Sequence, residues 1–142
     1  MKEILLKLDL IYSKIGYILA CLSSYSSLNL SKRINEINSK IFLIKKSLLE
    51  EKYYVDIRDV IELRNYLKEL KNRLPNDEKV LLDGHKIACL LFEISIEIKL
   101  LILKIDIEYN DIIEYLTLAS QYLYDCGRIV NIEILCFENI IK

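Results

Sequence analysis

Apolar residues recur at alternating steps of four and three along most of this chain, the spacing of one face of an α-helix. In the first segment these are Ile4, Leu8, Ile11, Ile15, Ile18 and Leu22, and in the second Ile34, Ile37, Ile41, Ile44 and Leu48. The serine-rich stretch Ser23–Ser27 between them predicts a turn. Asp56 is placed to cap a third helix with the face Val60, Leu63, Leu67, Leu70 and Leu74. That helix must stop before Pro75, which disfavours helical geometry in the residue ahead of it.

Beyond the proline, Asn76 or Asp77 can cap a long fourth helix reaching Glu108. Its polar residues Lys79, Asp83, Lys86, Glu93, Glu97, Lys104 and Glu108 fall on one narrow stripe, and the rest is largely apolar, as in a helix surrounded by others. Phe92–Lys99 also alternates apolar and polar as a strand would, but the stripe runs well past that window and favours helix. A fifth segment, Ile112–Tyr124, is expected to end near Gly127, a natural C-terminal helix signal. A last one, Ile129–Ile141, reads as helix, although Ile129-Val130 and Ile132-Glu133-Ile134 also suit a strand. The expectation is an all-α fold: a compact bundle of about six helices around one central hydrophobic helix, from about Glu78 to Glu108, forming a single domain over 1–142.

Composition narrows the function. The chain has 26 Leu and 24 Ile, far too much apolar mass for a disordered segment. Three glycines and one histidine, His85, leave little material for a phosphate-cradling loop, a histidine metal site or a Ser-His dyad, so no cofactor and no enzymatic activity are expected. Cys21, Cys89, Cys126 and Cys136 form no CxxC pair and lie among apolar neighbours, which reads as core thiols in a reducing, cytoplasmic setting. The N-terminal apolar stretch is broken by Lys7, Asp9 and Lys14, and Ile87–Leu103 by Glu93, Glu97 and Lys99, so neither a signal peptide nor a membrane span is expected.

The net charge of −1 hides a division. Lys32–Arg73 holds eleven Lys and Arg against seven Asp and Glu, while Asp106–Lys142 holds two against seven. If Lys40, Lys45, Lys46, Lys68 and Lys71 form one positive surface, the chain could serve a nucleic-acid-processing complex, such as an RNA-guided effector or an RNA polymerase, as a small subunit or antagonist. Solvated helix faces account for the same residues.

Three constellations invite chemistry. His85 and Cys89 stand one helical turn apart, as a nucleophilic pair would, but Asp83 points away and no other residue nearby orients the imidazole. Glu93 and Glu97 share the carboxylate spacing of metal sites in bundles, without the Glu-x-x-His partner motif. Ten tyrosines against three phenylalanines suggest contact surfaces, with Tyr53, Tyr54, Tyr122 and Tyr124 as candidate interface aromatics. A groove between the third helix and the start of the fourth, lined by Ile57, Val60, Ile61, Arg64, Leu81, His85 and Ala88, would give an apolar floor with one anchoring charge for a partner helix.

Tyr54–Ile61, Leu74–Lys79 and Ile87–Leu90 together resemble the middle of the poxviral Bcl-2-like proteins that block innate immune signalling, over about a third of the chain. The resemblance implies a viral, non-catalytic inhibitor or adaptor that occupies a host signalling or apoptotic protein, with homodimerisation as an option. Gly127-Arg128-Ile129-Val130 echoes the glycine-arginine motif of cellular Bcl-2 proteins, but that motif belongs before the central helix and no role is carried over from it.

Overall fold

The periodic segments fold as helices whose ends are set by boundary residues. The structure, a computed structural model, describes residues 1–75 and 80–135. Its helices are α1 (Lys2–Leu22), α2 (Ser31–Glu50), α3 (Ile57–Lys71), α4 (Lys86–Ile102) and α5 (Asn110–Val130). The serine stretch forms a 3-10 segment, Ser23–Leu28, that leaves through Asn29 in the left-handed region at φ 55°. Asp56 caps α3 in a reciprocal box: its carboxylate accepts from the Arg58 N–H at 2.9 Å, and the Asp59 carboxylate accepts from the Asp56 N–H at 3.0 Å.

The fold is all-α, a helical bundle, with five α-helices among the described residues where about six were expected. The fourth helix is shorter than its apolar pattern. It starts at Lys86, with His85 Nδ1 accepting from the Ile87 N–H at 3.1 Å, and it ends at Ile102, where Leu103–Ile105 turns back onto the last carbonyls. The candidate caps Asn76 and Asp77, the predicted start at Glu78, and Lys79 lie outside the described residues. Residues 92–99 are helical throughout, so their alternation was no strand signal. The fifth helix runs through Gly127 to Val130, and the chain continues as a π turn, Asn131–Leu135. A separate sixth helix from Ile129 is therefore not formed among the described residues, and the remainder of that segment, 136–142 with Cys136, lies outside them.

The helix at the centre is α5. It packs on α4, α3 and α2, while α1 packs on α2 and α4. Cross-helix contacts give the directions: Asp9–Lys45 at 2.7 Å with Asn38 Nδ2 donating to the Tyr12 carbonyl at 3.2 Å runs α1 antiparallel to α2, and Lys14–Glu97 at 2.7 Å with Glu3–Lys104 runs α1 antiparallel to α4. Arg64 pairs with Glu114 and Lys71 with Asp125, so α3 lies parallel to α5. Ser95 Oγ donates to the Ser120 carbonyl at 2.8 Å and Phe92 meets Tyr124, so α4 lies antiparallel to it. One core draws on all five helices.

Two close approaches hold α5 in place. Gly127 lets the Phe92 ring lie against the α5 backbone, where an added Cβ would come within 2.5 Å of it. Asn131, 4% exposed, binds the loop before α4: its Oδ1 accepts from the His85 N–H at 2.9 Å and its Nδ2 donates to the Asp83 carbonyl at 2.8 Å. Gly84, at φ 111°, sits under that amide.

Asp125 is buried on α5, with Lys71 Nζ 3.1 Å from Oδ2 and Gln121 donating to Oδ1 at 3.1 Å. Burial pushes its carboxyl above the ordinary range, and Lys71, then Gln121 and Arg128, offset this only in part. A carboxyl with a raised pKa in the folded state binds more protons folded than unfolded, so its contribution falls as pH climbs from the unfolded pKa through the folded one. The stability of the parent relative to Asp125→Asn should therefore decline with rising pH in urea titrations from about pH 4 upward. A relative stability that rises with pH would show that the Lys71 pair outweighs burial.

Candidate interaction surface

The residues proposed from the sequence to line one groove are not brought together. Val60 and Ala88 are core residues with no exposed surface. Ile57, Ile61 and Leu81 are half-exposed, but Ile57 and Ile61 lie on the first turns of α3, near the start of α5, where Arg64 meets Glu114. Leu81 and His85 lie at the other end of the bundle, where Asn131 closes α5. The 15 residues of α3 span about 22 Å, so the first turns of α3 and the first turn of α4 are a helix length apart. What remains is a short edge, Ile57, Ile61 and Arg64, flanking the α3–α5 seam.

His85 and Cys89 do not engage each other. The His85 ring caps α4 and stands edge-on to Tyr25, and the Cys89 thiol donates to the Gly84 carbonyl at 3.8 Å. The Cys126 thiol is fully buried, and burial pushes it well above its ordinary range, which suppresses the thiolate a nucleophile needs. Glu93 and Glu97 converge on Lys14 of α1, at 2.9 and 2.7 Å, so this part of the polar stripe of α4 forms the polar seam of two helices. Among the described residues no group of three or more His, Cys, Asp or Glu is close enough to hold a metal ion.

The tyrosines separate too. Tyr122 is a core residue, and Tyr124 is half-buried, its hydroxyl accepting from the Val80 N–H at 3.4 Å. Tyr53 is exposed beside Tyr109, and Tyr54 holds Glu50 at 2.8 Å with Lys46 over its ring. The basic positions belong to different seams: Lys45 pairs with Asp9 between α1 and α2, Lys40 with Asp59 between α2 and α3, and Lys71 with Asp125 between α3 and α5. Lys46 lies over Tyr54 and Lys68 is exposed on α3, so the five lysines form no single positive surface. A cleft of about 490 Å³ lies below the start of α2, and its arginines already hold partners: Arg33 with Glu69 at 2.5 Å, and Arg73 with Glu133 at 2.9 Å and the Leu28 carbonyl at 2.8 Å.

A surface the sequence reading passed over stands out instead. On α1, Leu6, Leu10 and Tyr17 share one side, and on α4 so do Ile96 and Leu100, extended by Leu103. On both helices the Lys14–Glu93–Glu97 seam lies between this side and the core, so the two apolar columns emerge together on the outside of the α1–α4 pair. These six residues are 40% to 81% exposed, and grouped in this way they go beyond the singly scattered apolar residues of an ordinary surface. Beside the α4 column is a depression of about 220 Å³, lined by Leu100, Leu101, Leu103, Glu97, Lys104 and, from α1, Lys7. The sequence signal was a second apolar stripe on α4, read there as the mark of a central helix. No helix among the described residues is long and apolar enough to cross a membrane. No protein-family model and no curated protein matches this chain.

Proposed function

We propose that this chain is a non-enzymatic helical module that works by binding another protein, as an inhibitor or adaptor, through an exposed helix face. The observation that carries this reading is the outer face of α1 and α4, where Leu6, Leu10, Tyr17, Ile96, Leu100 and Leu103 lie open beside one depression. The rigid packing of both helices on the core keeps that face formed in the free protein, which lowers the ordering cost of a contact. The Ile57–Ile61–Arg64 edge is a smaller second face on the opposite side of α5. A nucleic-acid role through the predicted lysines has less support, since Lys40, Lys45 and Lys71 are each neutralised by an aspartate.

Affinity purification of the tagged full chain from its own cells or host cells, beside a Leu100→Glu/Leu103→Glu variant, tests the reading. Both positions are exposed, so the variant should keep its helical circular-dichroism spectrum and melting temperature while losing the proteins that accompany the parent. Identical sets of accompanying proteins from parent and variant would contradict it.

A further inference from the structure

We infer that the cleft below the start of α2 binds a small phosphorylated molecule, with the phosphate held between Arg33, Arg73 and the Tyr122 hydroxyl. Its walls are the end of α1, the 3-10 segment, the first turn of α2 and the end of α3, and Tyr122 of α5 joins them from the core. A volume of about 490 Å³ is that of a small-molecule pocket. The cleft lies at the Leu22 end of α1, whereas Leu100 and Leu103 lie at the Glu3 end, so this site does not depend on the protein-binding face.

Tyr122 is the residue that points to a ligand. It is 2% exposed, and it lines the cleft. Burial holds its phenol well above the ordinary range, so the hydroxyl stays protonated and able to donate, with the Arg33 and Arg73 guanidiniums close enough to act on it. A guanidinium has donors and no acceptor, so neither arginine can take the phenol proton. Among the described residues no acceptor makes that hydrogen bond. Water can take the proton, but it leaves the positive charge around it unanswered. An oxyanion entering from the cleft satisfies both.

The arginines are held in place with donors to spare. Arg33 gives Nη1 to Glu69, and its guanidinium lies 4.0 Å over the Tyr66 ring. Arg73 uses Nη2 alone for both the Leu28 carbonyl and Glu133. The remaining guanidinium nitrogens are open to a ligand. With Lys32 at the rim, three cations face two carboxylates, Glu69 and Glu133, and the Glu69 side chain is 61% exposed, so it can turn out into water. The first turn of α2 has no side-chain cap, and its Ser31, Lys32 and Arg33 lie in the same wall, adding backbone donors. Because both arginines act on one phenol, the donors converge on a point and do not form a track. That arrangement suits the terminal phosphate of a small molecule, which offers more oxygens and more charge than a carboxylate, and it does not suit the backbone of a polymer. Leu22 and Leu70 line the same cleft and give the organic part an apolar wall.

Titration of the full chain with inorganic phosphate and with phenyl phosphate at constant ionic strength, followed by two-dimensional amide NMR, tests this. Both ligands should shift the amide signals of Ser31, Lys32 and Arg33, and phenyl phosphate should bind the more tightly. Tyr122→Phe should be as stable as the parent, because its hydroxyl proton has no partner to lose in the free protein. It should nevertheless bind either ligand about tenfold more weakly, the worth of one hydrogen bond to a charged group. Arg33→Gln should weaken binding at least as much, while Leu100→Glu/Leu103→Glu should bind as the parent does. No shift of those amides at about 10 mM of either ligand overturns the inference. So does an affinity that is the same in the parent, Tyr122→Phe and Arg33→Gln, and so does a marked loss of stability in Tyr122→Phe, which would mean that the hydroxyl already has a partner.

Discussion

Replacing Gly84 with alanine should lower the unfolding free energy by about 3 kcal/mol, through backbone strain and a lost clasp together. At φ 111° an L-residue is strained whatever space surrounds it, and here the space is also taken: the new methyl group would collide with the Asn131 side-chain amide. That amide accepts from the His85 N–H and donates to the Asp83 carbonyl, so pushing it aside breaks two part-buried hydrogen bonds that tie the loop before α4 to the end of α5. Asn131→Ala should cost about 2 kcal/mol by the same loss. The two changes share one contact, so the double variant should be less destabilised than the sum of the singles. Urea titration measures all three, and strict additivity would mean that Gly84 and Asn131 do not act together.

The second large effect belongs to Gly127. Alanine is favoured over glycine inside a helix by about 1 kcal/mol, so propensity alone predicts a gain at this position. The structure predicts a loss of about 2 kcal/mol, because three atoms of the buried Phe92 ring lie within 2.5 to 3.0 Å of the new Cβ and that ring is packed against Tyr124. Adding Phe92→Leu to Gly127→Ala should recover part of the loss, although Phe92→Leu alone is destabilising. A more stable Gly127→Ala protein would mean that α4 and α5 do not approach as closely as described.

Much of the fold was legible in the sequence. The core faces of α1, α2 and α3 are the residues whose spacing predicted them, except that Ile4 is only partly buried and Leu74 lies beyond the end of α3 at Lys71; Asp56 caps where expected, with Asp59 completing the box. Errors gathered where two signals of similar strength competed. The apolar pattern runs on through Leu103, Ile105 and Ile107, which hid the end of α4, and Gly127 carries the residue type of a helix stop while serving a close helix contact. The centre of the bundle was misplaced for a related reason. A helix apolar on most sides reads as surrounded, yet α4 leaves Ile96 and Leu100 in solvent, while α5 buries Asp125 and Arg128 among its apolar neighbours, and Asn131 is buried just beyond its end.

The candidate site was less legible, because it depends on which ends of helices meet. Ile57 and His85 are close in sequence, but consecutive antiparallel helices bring the end of one beside the start of the next, and the proposed groove joined two starts. Lys14 and Glu97 are 83 residues apart, and no local pattern announces a pair of that separation. Once that pair is known, the two exposed columns on either side of it follow from helical spacing alone.

Hydroxyl-radical footprinting of the protein as isolated under native conditions, compared with the Leu100→Glu/Leu103→Glu variant at equal concentration, tests most directly whether the α1–α4 face is a binding surface. The account predicts that Leu6, Leu10, Tyr17 and Ile96 are protected in the parent and labelled in the variant, while Phe42, Ile57 and Ile61 are labelled equally in both. Equal labelling of Leu6, Leu10, Tyr17 and Ile96 in the two proteins, at the level their exposure predicts, would contradict it.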